Sequence, residues 1–206
     1  MFVKAIFSFK VFEDGTERGL FETRTFNELV AVVGNNTWEV MNGRKKLTVN
    51  WEPMADVKET VNIRGNKREE LIPAGLASSA AQLAAMQERA KQPATLLRKD
   101  GDPETAFKNA AQILERTYTA PFRVHNCMEP MNCFAHVTPE KALFVGPLQT
   151  PGFAEETLAA RFGLPKDKID IQMTRMGGGF GRRAYPHYMV EAGVISQKVK
   201  APVKLV

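Results

Sequence analysis

Four of the five residues from Gly177 to Gly181 are glycine, the exception being Phe180, and Arg182 and Arg183 follow directly. Glycine lets backbone come close to a ligand, because no Cβ intervenes and positive φ is allowed. A helix opening beyond such a loop adds unpaired N–H groups and the positive end of its dipole, so the place suits an anion or a polar cofactor edge. Arg182 and Arg183 stand where planar, charge-assisted contacts to a phosphate would form. The dinucleotide fingerprint fails, since from Gly177 it needs glycine where Arg182 stands and from Gly179 where Ala184 stands. No phosphate-loop Gly-Lys-Ser/Thr is present. The competing reading is a tight turn that lets the last helix pack on a sheet.

Two further stretches carry chemistry. His125, Cys127, Cys133 and His136 supply four zinc-ligand types within "HNCMEPMNCFAH", but the gap between the cysteines exceeds the usual knuckle spacing and Glu129-Pro130-Met131-Asn132 reads as a bend. Glu129 beside Pro130 is a candidate general base, with an exposed loop carboxylate as the alternative. In "GPLQTPG" two prolines fix the backbone around Gln149, holding it at a strand end where α/β folds place ligand contacts; a stiff connector is the alternative. There is no G-x-S-x-G, and His187 has no evident acidic or nucleophilic partner in sequence.

The elements that must position these residues follow from periodicity. "NELVAVVGNN" reads as a short strand and "KKLTVNWEP" (45–53) as another, with Leu47, Val49 and Trp51 on one face. Charged residues dominate 56–70, and an Ala-rich stretch of high helix propensity follows, so 56–95 reads as a linker with a helix. "GDPETAFKNAAQILERTY" opens a helix, with Asp102 as cap, Pro103 in the first turn, and Ala106, Phe107, Ala110, Ile113 and Leu114 on one stripe. Strands at "NCFAHVT" and "KALFVG", a helix at "GFAEETLAARFG" ended by Gly163, a strand at "KIDIQMT" and a last helix with Met189, Ala192, Ile195 and Val199 aligned complete the chain. The expected fold class is α+β: a small α+β piece over 1–55, the linker over 56–95, and part of a mixed-sheet α/β domain over 96–206.

Composition narrows the function. The 206 residues are 44% hydrophobic with a net charge of +5 divided almost evenly between the halves, so no basic arm points to nucleic acid. No apolar run approaches a membrane span and no export signal opens the chain. Two cysteines make no disulfide framework, leaving a cytoplasmic or a bacterial periplasmic location equally open.

Taken together, "YTAPFRVHNCMEPMNCFAHV", "VGPLQTP" and "GGGFGRR", in this order and spacing, resemble the molybdenum-binding large subunits of the xanthine dehydrogenase and aldehyde oxidase family, in particular the isoquinoline 1-oxidoreductase beta-subunit type. "ELVAVVGNNTWEVMNGRKKLTVNWEP" looks like the end of that family's hammerhead domain. The resemblance implies a molybdopterin cytosine dinucleotide carrying molybdenum, oxidation of an aldehyde or N-heteroaromatic substrate with water as oxygen source, and electron transfer to iron–sulfur clusters in a small partner subunit. It places Gln149 on the glutamine that hydrogen-bonds a molybdenum oxygen ligand, and Phe180 and Gly181 on the loop whose backbone approaches metal and pterin. Gly177, Gly178 and Gly179 give that loop room, and Arg182 lies close by. Ala184 falls where purine-binding members carry glutamate, which argues against a purine. The family holds no metal on the "HNCMEPMNC" segment, which it uses as packed strands, so no zinc and no metal ligand is expected here. Family subunits are far longer and keep their general-base glutamate in the C-terminal part. The chain is therefore expected to be a fragment, catalytically silent alone and completed by the rest of the subunit; a non-catalytic binding or assembly module is the alternative.

Overall fold

The computed structural model describes residues 3–11, 28–50, 52, 55–63, 65–72, 74 and 78–206. They group into two compact units, one made of residues 1–72 with 125–206 and the other of residues 73–124.

In the first unit, β1 (Val3–Phe9) and β2 (Leu29–Gly34) form an antiparallel pair. Helix α1 (Thr37–Lys45) follows. Asn36 caps it by accepting the Glu39 N–H at 3.0 Å, while the Glu39 carboxylate reaches back to the Asn35 N–H at 2.8 Å. These bonds satisfy N–H groups that the first turn leaves without partners. Gly43 faces the strands so closely that a Cβ there would stand 2.6 Å from Val3 Cγ2.

The reading of 45–53 as a strand is corrected: Lys45 closes α1 and residues 47–50 are not in a strand. A strand needs a ladder partner, and Leu47 and Val49 have none among the described residues. Trp51 lies outside the described residues.

The charged stretch also holds more order than a linker. Residues Val57–Ile63 (β3) and Asn66–Ile72 (β4) pair as an antiparallel hairpin, with Gly65 at φ +87° and its N–H bonded to Asn62 Oδ1 at 3.0 Å. Val57, Val61 and Ile63 alternate on one face, and Val61 is buried. The period-two signal is present in the sequence but diluted by the charges between.

The second unit contains helices α2 (Ser79–Arg89) and α3 (Pro103–Asn109). Asp102 caps α3 as expected, accepting from Thr105 N and Oγ1. The helix stops at Asn109, so only Ala106 and Phe107 of the expected stripe are helical, and Phe107, Ile113 and Leu114 are exposed. Most helical stability in proteins comes from packing an apolar face, and this stripe is not packed.

The rest of the first unit carries the core. Strands β5 (Cys133–Val137), β6 (Ala142–Gly146), β7 (Ile169–Met173) and β8 (Val203–Leu205) form a mixed sheet in the order β7-β6-β5-β8. Strand β6 is parallel to β7, while β5 is antiparallel to β6 and β8. Helix α4 (Pro151–Phe162) makes the crossover and ends on Gly163 at φ +63°. Helix α5 (His187–Val199) buries Met189, Ala192 and Ile195 of its predicted stripe. Gly193 lets α5 meet its neighbours, since a Cβ there would lie 2.3 Å from Phe162 Cζ. Ser196 ties helix to sheet by accepting the Val137 N–H at 3.1 Å and donating to Ala201 O at 2.8 Å. Phe9, Val11 and Ala31 join the same core. The mixed α+β architecture matches the expected fold class.

Candidate functional site: a buttressed glycine loop

The chain leaves β6 at Gly146 and β7 at Met173, neighbouring ends of parallel strands. Pro147 and Leu148 are buried, so the backbone seats Gln149 at the strand end as the bracketing prolines suggested. The Gln149 N–H donates to Arg183 O at 3.0 Å. Its side-chain Oε1 accepts the Gly181 N–H at 3.1 Å. That bond assigns the amide orientation, because a carbonyl and not an NH2 must face a donor. Gln149 Nε2 consequently points its two hydrogens elsewhere and has no protein acceptor among the described residues.

Each glycine of the loop has a local cause. A Cβ on Gly177 would sit 2.6 Å from Glu129 Cβ, and one on Gly179 would sit 2.6 Å from Gln149 Oε1. Gly178 at φ +103° and Gly181 at φ +86° occupy backbone that side chains rarely adopt. Phe180 does so without being glycine, at φ +51°, and its ring is 74% exposed. An aromatic held in left-handed backbone and exposed marks a site where surrounding structure over-determines the conformation. With its ring exposed, Phe180 is no plug of the core.

The paired arginines separate. Arg182 is exposed, but Arg183 is completely buried. Its Nε donates to Gly178 O at 2.9 Å, and its Nη2 donates to Glu129 O at 3.1 Å and to Glu129 Oε2 at 2.9 Å. The expectation that Arg183 meets a phosphate is thus corrected: a guanidinium facing inward and engaged with backbone carbonyls is not available to an external anion. Nothing in the local sequence tells which of two adjacent arginines turns in.

Glu129 is likewise reassigned. Its Oε2 accepts the Gly177 N–H at 2.6 Å as well as Arg183, and its Oε1 accepts Asn132 Nδ2 at 3.1 Å. The Gly177 N–H, with help from Asn132 and the Arg183 charge, holds the carboxyl below the usual carboxylate range. A carboxylate so engaged and so acidic is a poor general base, and its signal in sequence was only its place before Pro130.

The possible zinc ligands do not converge. Along β5, Cys133, Ala135 and Val137 face the core, and strand alternation sends His136 to the other face. Burial pushes the Cys133 thiol up to about 12, away from the thiolate a metal needs. The Cys127 S–H points to Gly179 O at 3.5 Å, and His125 lies beside Gly181. Residues 124–132 are not strands, unlike the packed strands that the resemblance implied. Tyr188, which no motif marks in the sequence, has a buried O–H that donates to Pro147 O, and His187, noted in the sequence only for want of a catalytic partner, has its Nδ1 buried without a hydrogen-bond partner among the described residues. Burial, then the nearby Arg182 charge, lowers the His187 pKa and favours the neutral imidazole. An open cleft of about 560 Å³ lined by Phe9, Lys10, Arg161 and Lys198 borders none of the predicted site residues.

The parallel strands β6 and β7 end side by side on Gln149 and the glycine loop, the strand C-termini where open α/β sheets bind ligands. Residues 87–206 match the molybdopterin cofactor-binding domain, and the chain belongs to that family. Over 202 residues it is 27% identical to isoquinoline 1-oxidoreductase subunit beta of Brevundimonas diminuta, covering 94% of this chain and 24% of that protein. The nicotinate dehydrogenase large molybdopterin subunit of Eubacterium barkeri is 29% identical over 52% of this chain and 25% of its own length. Aldehyde oxidase 3 of Rattus norvegicus is 30% identical over 52% of this chain and 8% of its own length. The chain thus spans about a quarter or less of these relatives.

Proposed function

We propose that the chain forms one wall of the cofactor pocket in a molybdopterin-dependent oxidoreductase acting on an aldehyde or an N-heteroaromatic compound. Molybdenum held in such a cofactor supplies two-electron oxidation chemistry with water as the oxygen source. The observation that carries the reading is the cradle at Gly179. A Cβ there would lie 2.6 Å from Gln149 Oε1 and displace the glutamine, whose Nε2 has no acceptor among the described residues.

The chain's own residues then have distinct tasks. Gln149 donates from Nε2 to an oxygen of the cofactor. Gly177, Gly178 and Gly179 keep side chains out of the space it occupies, and Phe180 and Gly181 present their backbone to it. Arg182, the arginine that stays exposed, supplies the positive charge for the phosphates of a dinucleotide. A cytosine dinucleotide, an iron–sulfur small subunit and completion of the site by further polypeptide belong to the same proposal, as does inactivity of these 206 residues alone. The relatives named for isoquinoline, nicotinate and aldehyde substrates support the substrate class.

Metal and nucleotide analysis of the native protein, expressed with ample cofactor, tests this. Molybdenum and a cytidine nucleotide in near-equal amounts are expected, and Gly179→Val should abolish both. A well-folded protein lacking molybdenum overturns the reading and leaves a binding or assembly role.

A further inference from the structure

Three polar side chains, Glu129, Asn132 and Arg183, lock the glycine loop to the turn at residues 129–132, and the cofactor reading leaves them without a task. Glu129 reaches the loop at its first residue through the Gly177 N–H. Arg183 reaches it at the second through Gly178 O and returns to Glu129 by both side chain and backbone. Asn132 holds the other Glu129 oxygen while also bonding Pro130 O at 3.0 Å, which closes the turn on itself. Arg183 then passes the constraint on, because its own carbonyl accepts the Gln149 N–H. Gln149 in turn takes the Gly181 N–H at the far end of the loop. Two tight turns, Arg182 N–H to Gly179 O and Ala184 N–H to Gly181 O, connect these anchors and leave Arg182 on the outside.

We propose that Glu129 is a positioning residue: with Arg183 it clamps Gly177 and Gly178, and so sets the direction of the Gln149 amide and the outward projection of Arg182 toward the cofactor. This rests on the cofactor reading for its purpose but not for its geometry. The arrangement answers to charge as well as shape. Arg183 is fully buried while Glu129 is 30% exposed, so the carboxylate is the partner that keeps a dehydrated guanidinium compensated, and one Nη1 already lacks an acceptor. A neutral amide at position 129 has one oxygen for three donors and brings its own NH2 against them. With that oxygen kept toward Gly177 and Arg183, which share Oε2, the NH2 opposes Asn132 Nδ2 and the buried guanidinium loses its charged partner, so the clamp is loosened.

Site-resolved hydrogen exchange on the native protein, with molybdenum content measured in parallel, tests the clamp. Glu129→Gln is expected to speed exchange at Gly177 and Gly181 at least tenfold, leave β5 and β6 as in wild type, and lower bound molybdenum several-fold. Glu129→Asp keeps the charge and should recover part of both. Gln149→Ala, on the exposed side of the loop, should free the Gly181 N–H yet leave Gly177 protected. Wild-type exchange over 177–183 in Glu129→Gln overturns the proposal, as does an Asp variant no better than Gln. Should Glu129→Gln not fold, loss of Gly177 protection in Gln149→Ala overturns it, because the clamp then depends on Gln149 rather than directing it. Absence of molybdenum from wild type overturns the cofactor reading alone, since the exchange result needs no cofactor.

Discussion

Helix α5 buries Tyr188, Met189, Val190, Ala192 and Val194 against the mixed sheet, whereas Phe107 on α3 and Ile113, Leu114, Tyr118 and Phe122 beyond it are exposed. Both stretches carry apolar residues at helical spacing. Only α5 meets a surface shaped for it, with Gly193 against Phe144 and Phe162 and Ser196 hydrogen-bonded to the edge of β5. A helical stripe is therefore a proposal for packing, completed by a partner face, and the site loop gains its rigidity from the packed side. Arg183, Pro186 and Tyr188, which join the loop to α5, are among the most buried side chains described.

The largest expected effect comes from disrupting the packed side. Gly193→Val places a branched side chain into Phe162 and Phe144, and over-packing of that severity costs about 3 kcal/mol or more, measured as a lower urea midpoint. In the same assay Leu114→Ala, in the exposed stretch, should stay within about 0.5 kcal/mol of wild type. Equal losses in the two variants would dissolve the contrast.

A smaller effect refines the contrast through pH. Glu191 on α5 has its carboxyl pushed up to about 7 by burial, from an ordinary 4.5. Between those values the folded chain holds a proton that the unfolded chain has released, so stability falls as pH rises through the window and levels off above it. Glu191→Gln should remove that slope and gain up to about 3 kcal/mol at pH 8. An unchanged slope would mean that Glu191 is hydrated. The smallest effect lies on the exposed side: Asp102→Ala should reduce helicity over Pro103–Asn109 in NMR shifts without moving the urea midpoint. Thr105, through its hydroxyl and then its N–H, holds Asp102 below the usual carboxylate range, so wild-type helicity there should weaken only as acid protonates that carboxyl.

Much of the site is legible in the amino-acid sequence. Four near-consecutive glycines lose much conformational freedom on folding, and two prolines fix the backbone around a glutamine, so Gln149 and the 177–181 loop stand out together. The strands at 133–146 and the last helix are equally plain, because their periodicity is uninterrupted. Helix α1 is hidden, although Asn36 and Glu39 spell a capping pair, because "KKLTVNWEP" offers a competing alternation. The β3–β4 hairpin is obscured by charge, and α3 is read too long because periodicity does not report whether a partner face exists.

The family, the strand and helix order of the last seventy residues, and the need for side-chain-free backbone at the loop are all properties of the sequence alone. They follow from local chemistry that every copy of the chain carries. The tertiary structure was needed to show that Arg183 turns inward while Arg182 stays out, that Glu129 is a clamp rather than a base, and that Gln149 shows its NH2. Each of these depends on which donors and acceptors are brought within about 3 Å across some thirty to fifty residues of chain, and leaving the donors of a buried guanidinium without acceptors is costly.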